Sequence, residues 1–132
     1  MPEQPCPFCE ISTGRAPATF VHEWSDAIAI VPLNPVVDGH TLVIPKQHVT
    51  DFVVHPDVSA SVMRRAAQLA GDYPAGSMNL ITSRGRGATQ SVFHLHLHLV
   101  PRSEGDGLPL PWHRGHPTCP ACNGCGLCSA CC

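Results

Sequence analysis

Residues 92–101 read Val92-Phe93-His94-Leu95-His96-Leu97-His98-Leu99-Val100-Pro101, an alternation of imidazole and leucine closed by a proline. An extended chain turns successive side chains to opposite faces, so this period of two predicts a strand that sends Leu95, Leu97 and Leu99 into a core. On the same reading His94, His96 and His98 share the other face at intervals of roughly 7 Å. Three imidazoles on one small surface disfavour charging one another, which leaves at least one neutral, nucleophilic nitrogen at pH 7. A half-exposed strand with a merely solvated polar face has the same alternation, and a His-x-His pair also suits a catalytic metal. Three histidines in register favour a shared chemical task.

The flanking sequence supplies the rest of a sheet. Ala27–Val31 and Thr41–Ile44 are short apolar runs separated by the turn-forming Asn34-Pro35-Val36-Val37-Asp38-Gly39, which predicts adjacent antiparallel strands. Met78–Ser83 reads as a further strand, joined to the histidine run by the glycine-rich Arg84–Ala88. Between these pairs Val58, Val62, Ala66 and Leu69 recur at helical spacing, with Pro56 and Asp57 suited to a helix start and Gly71 to its end. The expected fold is α+β: a mostly antiparallel sheet with one main helix, followed by a short Cys-rich C-terminal tail. The domains read as 1–112 for the folded unit and 113–132 for the tail.

The chain has 132 residues, 8 Lys and Arg, 10 Asp and Glu and a net charge of −2, a balance that argues against a nucleic-acid face built on bulk electrostatics. A small-molecule partner is expected instead. No apolar run approaches the ~20 residues of a membrane span, and the polar start from Met1 to Cys9 has no hydrophobic signal region, so the expected location is cytoplasmic with no membrane partner. The eight cysteines occur as Cys6 and Cys9 and as a cluster from Cys119 to Cys132, with none between, a distribution that favours metal over disulfide staples.

Gln90-Ser91-Val92-Phe93-His94-Leu95-His96-Leu97-His98-Leu99-Val100-Pro101-Arg102 closely resembles the signature of the histidine triad (HIT) family of nucleotide hydrolases and transferases. Asn34-Pro35-Val36-Val37-Asp38-Gly39-His40-Thr41-Leu42-Val43-Ile44-Pro45-Lys46-Gln47-His48 is similar to that family's upstream segment, and with Cys6-Pro7-Phe8-Cys9-Glu10-Ile11 the likeness spans about residues 5–112. The resemblance implies a Hint-like homodimer that cleaves a nucleoside monophosphate from its substituent at the α-phosphorus through a nucleotidyl-histidine. His96 would be the nucleophile, its second nitrogen held by the backbone carbonyl of His94. His98 and His40 would flank the phosphate, Gln90 and Ser91 would donate hydrogen bonds to it or to the leaving group, and Asn34 and Ser83 complete the expected substrate contacts. Such a site works by positioning and charge stabilisation, and no catalytic metal is expected.

Two positions depart from the family pattern: Pro32 stands where many members carry an Asp that can hold ribose hydroxyls, and Ser83 where an Asn often contacts the phosphate. Arg84 and Arg86 either pair with the phosphate in compensation or are solvated. His22, His55, His113 and His116 read as surface residues.

Cys6 and Cys9 have the spacing of half a tetrahedral zinc site, or are two free thiols. The resemblance implies that His48 and His94 complete a structural zinc site, as in some bacterial HIT proteins and the related galactose-phosphate uridylyltransferases. In the tail, Cys119, Cys122, Cys128 and Cys131 have a spacing that could close a small Cys₄ knuckle; its first half resembles a zinc unit of the DnaJ type. Two other readings compete with the enzyme: a lapsed nucleotide- or zinc-binding module, and an aprataxin-like deadenylase of nucleic-acid ends, against which the low basic charge counts.

Overall fold

The computed structural model describes residues 5–111; the tail cysteines and Trp112 lie outside them. The chain divides into two units, with the division after Pro101. In the second, Arg102 donates from Nε and Nη2 to the two carboxylate oxygens of Asp106 at 2.7 and 2.9 Å, and Asp106 also accepts from the Ser103 and Leu108 amides.

In the first unit, strands β1 (Phe20–Glu23), β2 (Ala27–Ile30), β3 (Thr41–Pro45), β4 (Met78–Ile81) and β5 (Leu97–Pro101) form one sheet in the order β1-β2-β3-β5-β4. Every pairing is antiparallel. The central strands are buried on both faces, and the period of two sorts their side chains between two cores. Ala29, Val43, Leu97 and Leu99 pack with Val58, Val62, Ala66 and Leu69 of helix α2 (Pro56–Ala70). Ile28, Ile30, Leu42 and Ile44 pack with Phe8 of the short helix α1 (Pro7–Ser12). Each fully buried Val, Leu, Ile or Phe here contributes about 1.5–3 kcal/mol.

Helix α2 follows the anticipated bounds. Pro56 stands in the first turn, where a missing amide costs nothing, and the His55 imidazole caps the helix by accepting the Val58 amide at 3.4 Å. His55 thus has a structural task that its exposure concealed.

Two elements were not legible from periodicity: β1, whose four residues are all exposed, and the six-residue α1. The expected strand across 92–100 also differs. Residues 92–94 bend, and the ladder begins only at Leu97, so His98 alone of the three histidines lies in a strand. The alternation of burial nevertheless persists, with Leu95, Leu97 and Leu99 all inside. The reason is local: the Leu95 amide is taken by the Val49 carbonyl at 2.8 Å, so backbone there is held by a loop rather than by a neighbouring strand.

Candidate active site and metal centre

Leu42 lies opposite His98 in the β3–β5 register, and residues directly opposite share a face. His98 therefore projects on the α1 side of the sheet, away from α2. His40 enters this face from the turn before β3. That turn requires Gly39: its φ is +89°, and a Cβ there would lie 3.0 Å from Cγ of Pro101.

Hydrogen bonds order the imidazoles. His96 Nδ1 lies 2.7 Å from the carbonyl of His94, so Nδ1 carries the proton and Nε2 keeps its lone pair. The His96 carbonyl in turn accepts from the Thr82 hydroxyl at 2.8 Å. His40 Nδ1 accepts the Val36 amide at 3.1 Å, which puts the proton of neutral His40 on Nε2, 3.0 Å from Nδ1 of His98. His98 must then carry its own proton on Nε2. The constellation thus presents one bare nitrogen, on His96, beside one N–H donor, on His98, with ring centroids 5.2 Å apart. Burial lowers the pKa values of His40 and His96, and burial followed by the charges of His96 and His40 pushes His98 down to about 4. All three are neutral at pH 7.

His94 lies on this α1 side as well, edge-on to Phe8, but deeper than the other two. It is fully buried and turned toward α1, with Nε2–H donating to the Pro45 carbonyl at 2.8 Å, which leaves Nδ1 bare. Around that nitrogen stand Cys6 Sγ at 3.3 Å, Cys9 Sγ at 3.5 Å and His48 Nδ1 at 3.0 Å, and Cys9 Sγ lies 3.4 Å from His48 Nδ1. The four ligand atoms fall within 4.8 Å of one another. Zn–S bonds of ~2.3 Å and Zn–N bonds of ~2.0–2.1 Å in a tetrahedron give S–N edges of about 3.5 Å and N–N edges of about 3.3 Å, so the donors stand close to that figure. The chemistry agrees, because a bare, fully buried imidazole nitrogen faces two sulfurs and a second imidazole. Burial and then the neighbouring Cys6 push the Cys9 thiol up to about 11, a state that a divalent cation reverses by binding the thiolate.

Of the expected phosphate contacts, Gln90 is the one whose hydrogen bonds point elsewhere. Gln90 is buried, and its amide is committed to backbone: Oε1 accepts from the Gly85 amide at 2.8 Å, and Nε2 donates to the carbonyls of Thr50 at 2.7 Å and Val92 at 3.1 Å. Both donor hydrogens are spent, so Gln90 braces the 85–92 loop and has none left for a phosphate. Ser91 is exposed beside it, Ser83 is half-buried directly after Thr82, and Asn34 is exposed on the β2–β3 loop that Val36 ties to His40. Arg84 is 60% exposed at 3.7 Å from Asp51, and Arg86 lies over the Phe93 ring. Nothing local in the sequence signals that Pro45 and Thr82 hold the histidines. The sequence does contain Phe8 within its Cys-x-x-Cys, and that ring stands edge-on to both His94 and His96.

The fold and site together are a five-stranded antiparallel sheet bearing a histidine cluster on one face with a Cys₂His₂ donor set beside it. The HIT domain model matches residues 13–105, and the chain belongs to the HIT family. A HIT-like protein of Mycobacterium tuberculosis is 38% identical over 109 residues, 79% of this chain and 76% of that one. An adenylylsulfatase of Arabidopsis thaliana is 32% identical over 108 residues, 78% of this chain and 55% of its own. Among solved structures, a Zn-bound histidine triad family protein from Mycobacterium smegmatis is 40% identical with a TM-score of 0.68, covering 80% of each chain. No helix among the described residues is long and apolar enough to cross a membrane.

Proposed function

We propose that this chain is a nucleotide phosphoramidase or nucleotidyl hydrolase, acting at the α-phosphorus of a nucleoside phosphate derivative through a covalent nucleotidyl-His96. The observation that carries this reading is the 2.7 Å hydrogen bond from His96 Nδ1 to the His94 carbonyl, which leaves Nε2 as a neutral nucleophile. In the first step Nε2 bonds to phosphorus and the bond to the substituent breaks with its electron pair on the leaving atom, which takes a proton from solvent while His98 Nε2–H donates a hydrogen bond to the charge that develops there. In the second, water attacks phosphorus and loses its proton to solvent, the bond from phosphorus to His96 breaks with its electron pair on Nε2, and the nucleoside monophosphate leaves with His96 regenerated.

His40 holds the tautomer of His98 and Thr82 fixes the backbone of His96, so the machinery is positioned before substrate arrives. Ser91 and Ser83 would be the short hydrogen-bond donors to the phosphate. Relatives include an adenylylsulfatase, so a sulfate leaving group belongs beside amines in the substrate panel.

Cys6, Cys9, His48 and His94 would hold zinc, whose chemistry here is to clamp α1 to the sheet and fix His94 by ligation. β4 is an edge strand with Leu80 and Ile81 about two-fifths exposed, an apolar edge that suits the homodimer implied by the resemblance.

The test is intact-protein mass spectrometry after rapid quenching with an adenosine phosphoramidate in neutral buffer, with His96→Ala in parallel. An added AMP mass on wild type alone, with AMP released over time, is the expected result. Tight nucleotide binding with neither adduct nor product would replace this reading by a binding module.

A further inference from the structure

Helix α1 has only six residues, too few to persist by its own hydrogen bonds, and its sequence Pro7-Phe8-Cys9 places an aromatic ring between two metal-donor positions. Phe8 is 8% exposed and inserts into the core made by Ile28, Ile30, Leu42 and Ile44. From there its ring meets His96 edge-on, with centroids 5.0 Å apart and planes at 72°, and meets His94 at 5.8 Å and 82°. Those separations fall in the range of favourable T-shaped aromatic pairs. A hydrogen bond at Nδ1 fixes the tautomer of His96 but leaves its ring free to swing about that bond; a wall on its flank removes that freedom.

We infer that Phe8 is a positioning residue for His96, and that metal held by Cys6, Cys9, His48 and His94 sets the nucleophile's orientation through Phe8 as well as through the His94 carbonyl. Both routes begin at the same four donors. One passes through the backbone of His94 to His96 Nδ1. The other passes through the Cys6–Cys9 segment, where the Glu10 amide bonds the Cys6 carbonyl at 3.0 Å and the Thr13 amide the Cys9 carbonyl at 3.1 Å, so the residues bearing Phe8 move as one turn. A site two residues from the nucleophile in sequence is thus coupled to it from two directions. Loss of the metal would free both.

This rests on the proposed role of His96, and the test keeps the two apart by reading the imidazole directly. In protein with 15N-labelled histidines, the Nδ1–H proton of His96 is assigned by its loss in His96→Gln, and its exchange with water is followed in zinc-loaded wild type, Phe8→Leu and Phe8→Tyr, each with measured zinc content. Slow exchange is expected in wild type and Phe8→Tyr. Phe8→Leu is expected to exchange faster by about tenfold or more while retaining zinc, with a similar fall in kcat and a much smaller change in KM. Chelation of wild type should give the same acceleration, reversed by zinc.

Unchanged exchange in zinc-loaded Phe8→Leu overturns the positioning role, as does a Phe8→Tyr that behaves like Phe8→Leu. If Phe8→Leu fails to retain zinc, the chelation arm decides, and an Nδ1–H that stays protected without metal overturns the coupling. Protected Nδ1–H in wild type, lost in Phe8→Leu, together with no nucleotidyl adduct, upholds the positioning and rejects the covalent reading.

Discussion

His40 Nε2 lies 3.0 Å from Nδ1 of His98, and only one of these nitrogens can hold the proton between them. The Val36 amide, donating to His40 Nδ1, decides which: His40 donates, His98 accepts, and His98 keeps its own proton on Nε2 as a hydrogen-bond donor. A neutral relay is required, since protonating either ring puts two N–H groups face to face.

That requirement sets a pH dependence. The folded pKa of His98 is pushed down to about 4 by burial and by its imidazole neighbours, and that of His40 is lowered by burial, against about 6.5 for each in the unfolded chain. Between those values the unfolded state binds more protons. Stability is therefore full above pH ~6.5 and falls as the pH drops toward 4. Urea unfolding midpoints from pH 7.5 to 4.5 should decline below pH 6.5, and the decline should be shallower in His98→Gln; a flat wild-type profile would refute the relay.

Substituting His96 with Ala should remove the covalent intermediate and lower turnover by on the order of 10³-fold or more, because the departing phosphorus bond loses its nucleophile. Near-wild-type far-UV circular dichroism is expected alongside, since His96 is not a core residue. Steady-state release of AMP and adduct mass are the two readouts.

Cys9→Ser should release one metal ion per chain and lower the melting temperature by about 10 °C, the size expected when a donor set that ties α1 to the sheet is lost. The metal count is a difference between two full-length proteins, so whatever the tail cysteines bind cancels. An unchanged metal-to-protein ratio would sink the Cys₂His₂ assignment.

Gln90→Ala should destabilise by about 2 kcal/mol, because it strands the Gly85 amide and the Thr50 and Val92 carbonyls together. Gln90→Glu should cost more, since a carboxylate oxygen would face two carbonyls. Denaturant midpoints at constant m-value measure both. A Gln90→Ala protein with wild-type stability and a raised KM would restore the phosphate-contact role.

Thr89 adopts φ +69°, and no other described non-glycine residue has a positive φ. A β-branched side chain is strained in that region. Thr89→Gly should raise stability by up to about 1 kcal/mol, the relief exceeding the entropy that glycine adds to the unfolded chain. A destabilised Thr89→Gly would show that the strain is smaller than the Thr89 contacts.

The order in which sequence and structure contributed follows from the range of the forces involved. The period of two at 95–99, the helical spacing of Val58, Val62, Ala66 and Leu69, and the Gly39 turn are local patterns, and burial enforces them wherever the chain folds, so they were legible along the sequence. The exposed β1 and the short α1 have no apolar period of their own; pairing with β2 and the packing of Phe8 create them. The four candidate metal donors were assembled from the sequence only by resemblance, because nothing local relates Cys6 to His94.

What the sequence by itself determined is which residues carry chemistry: three alternating histidines, His40, and a Cys-x-x-Cys. What only the tertiary structure decided is how each is used. His94 is fully buried beside the sulfurs, His96 and His98 on the same side stay partly exposed, and Gln90 gave up its donors to the backbone. The physical reason is that the roles of imidazoles and amides are set by which nitrogen or oxygen meets a partner, and the partners Pro45, Thr50 and Thr82 arrive from distant segments that only folding brings within 3 Å.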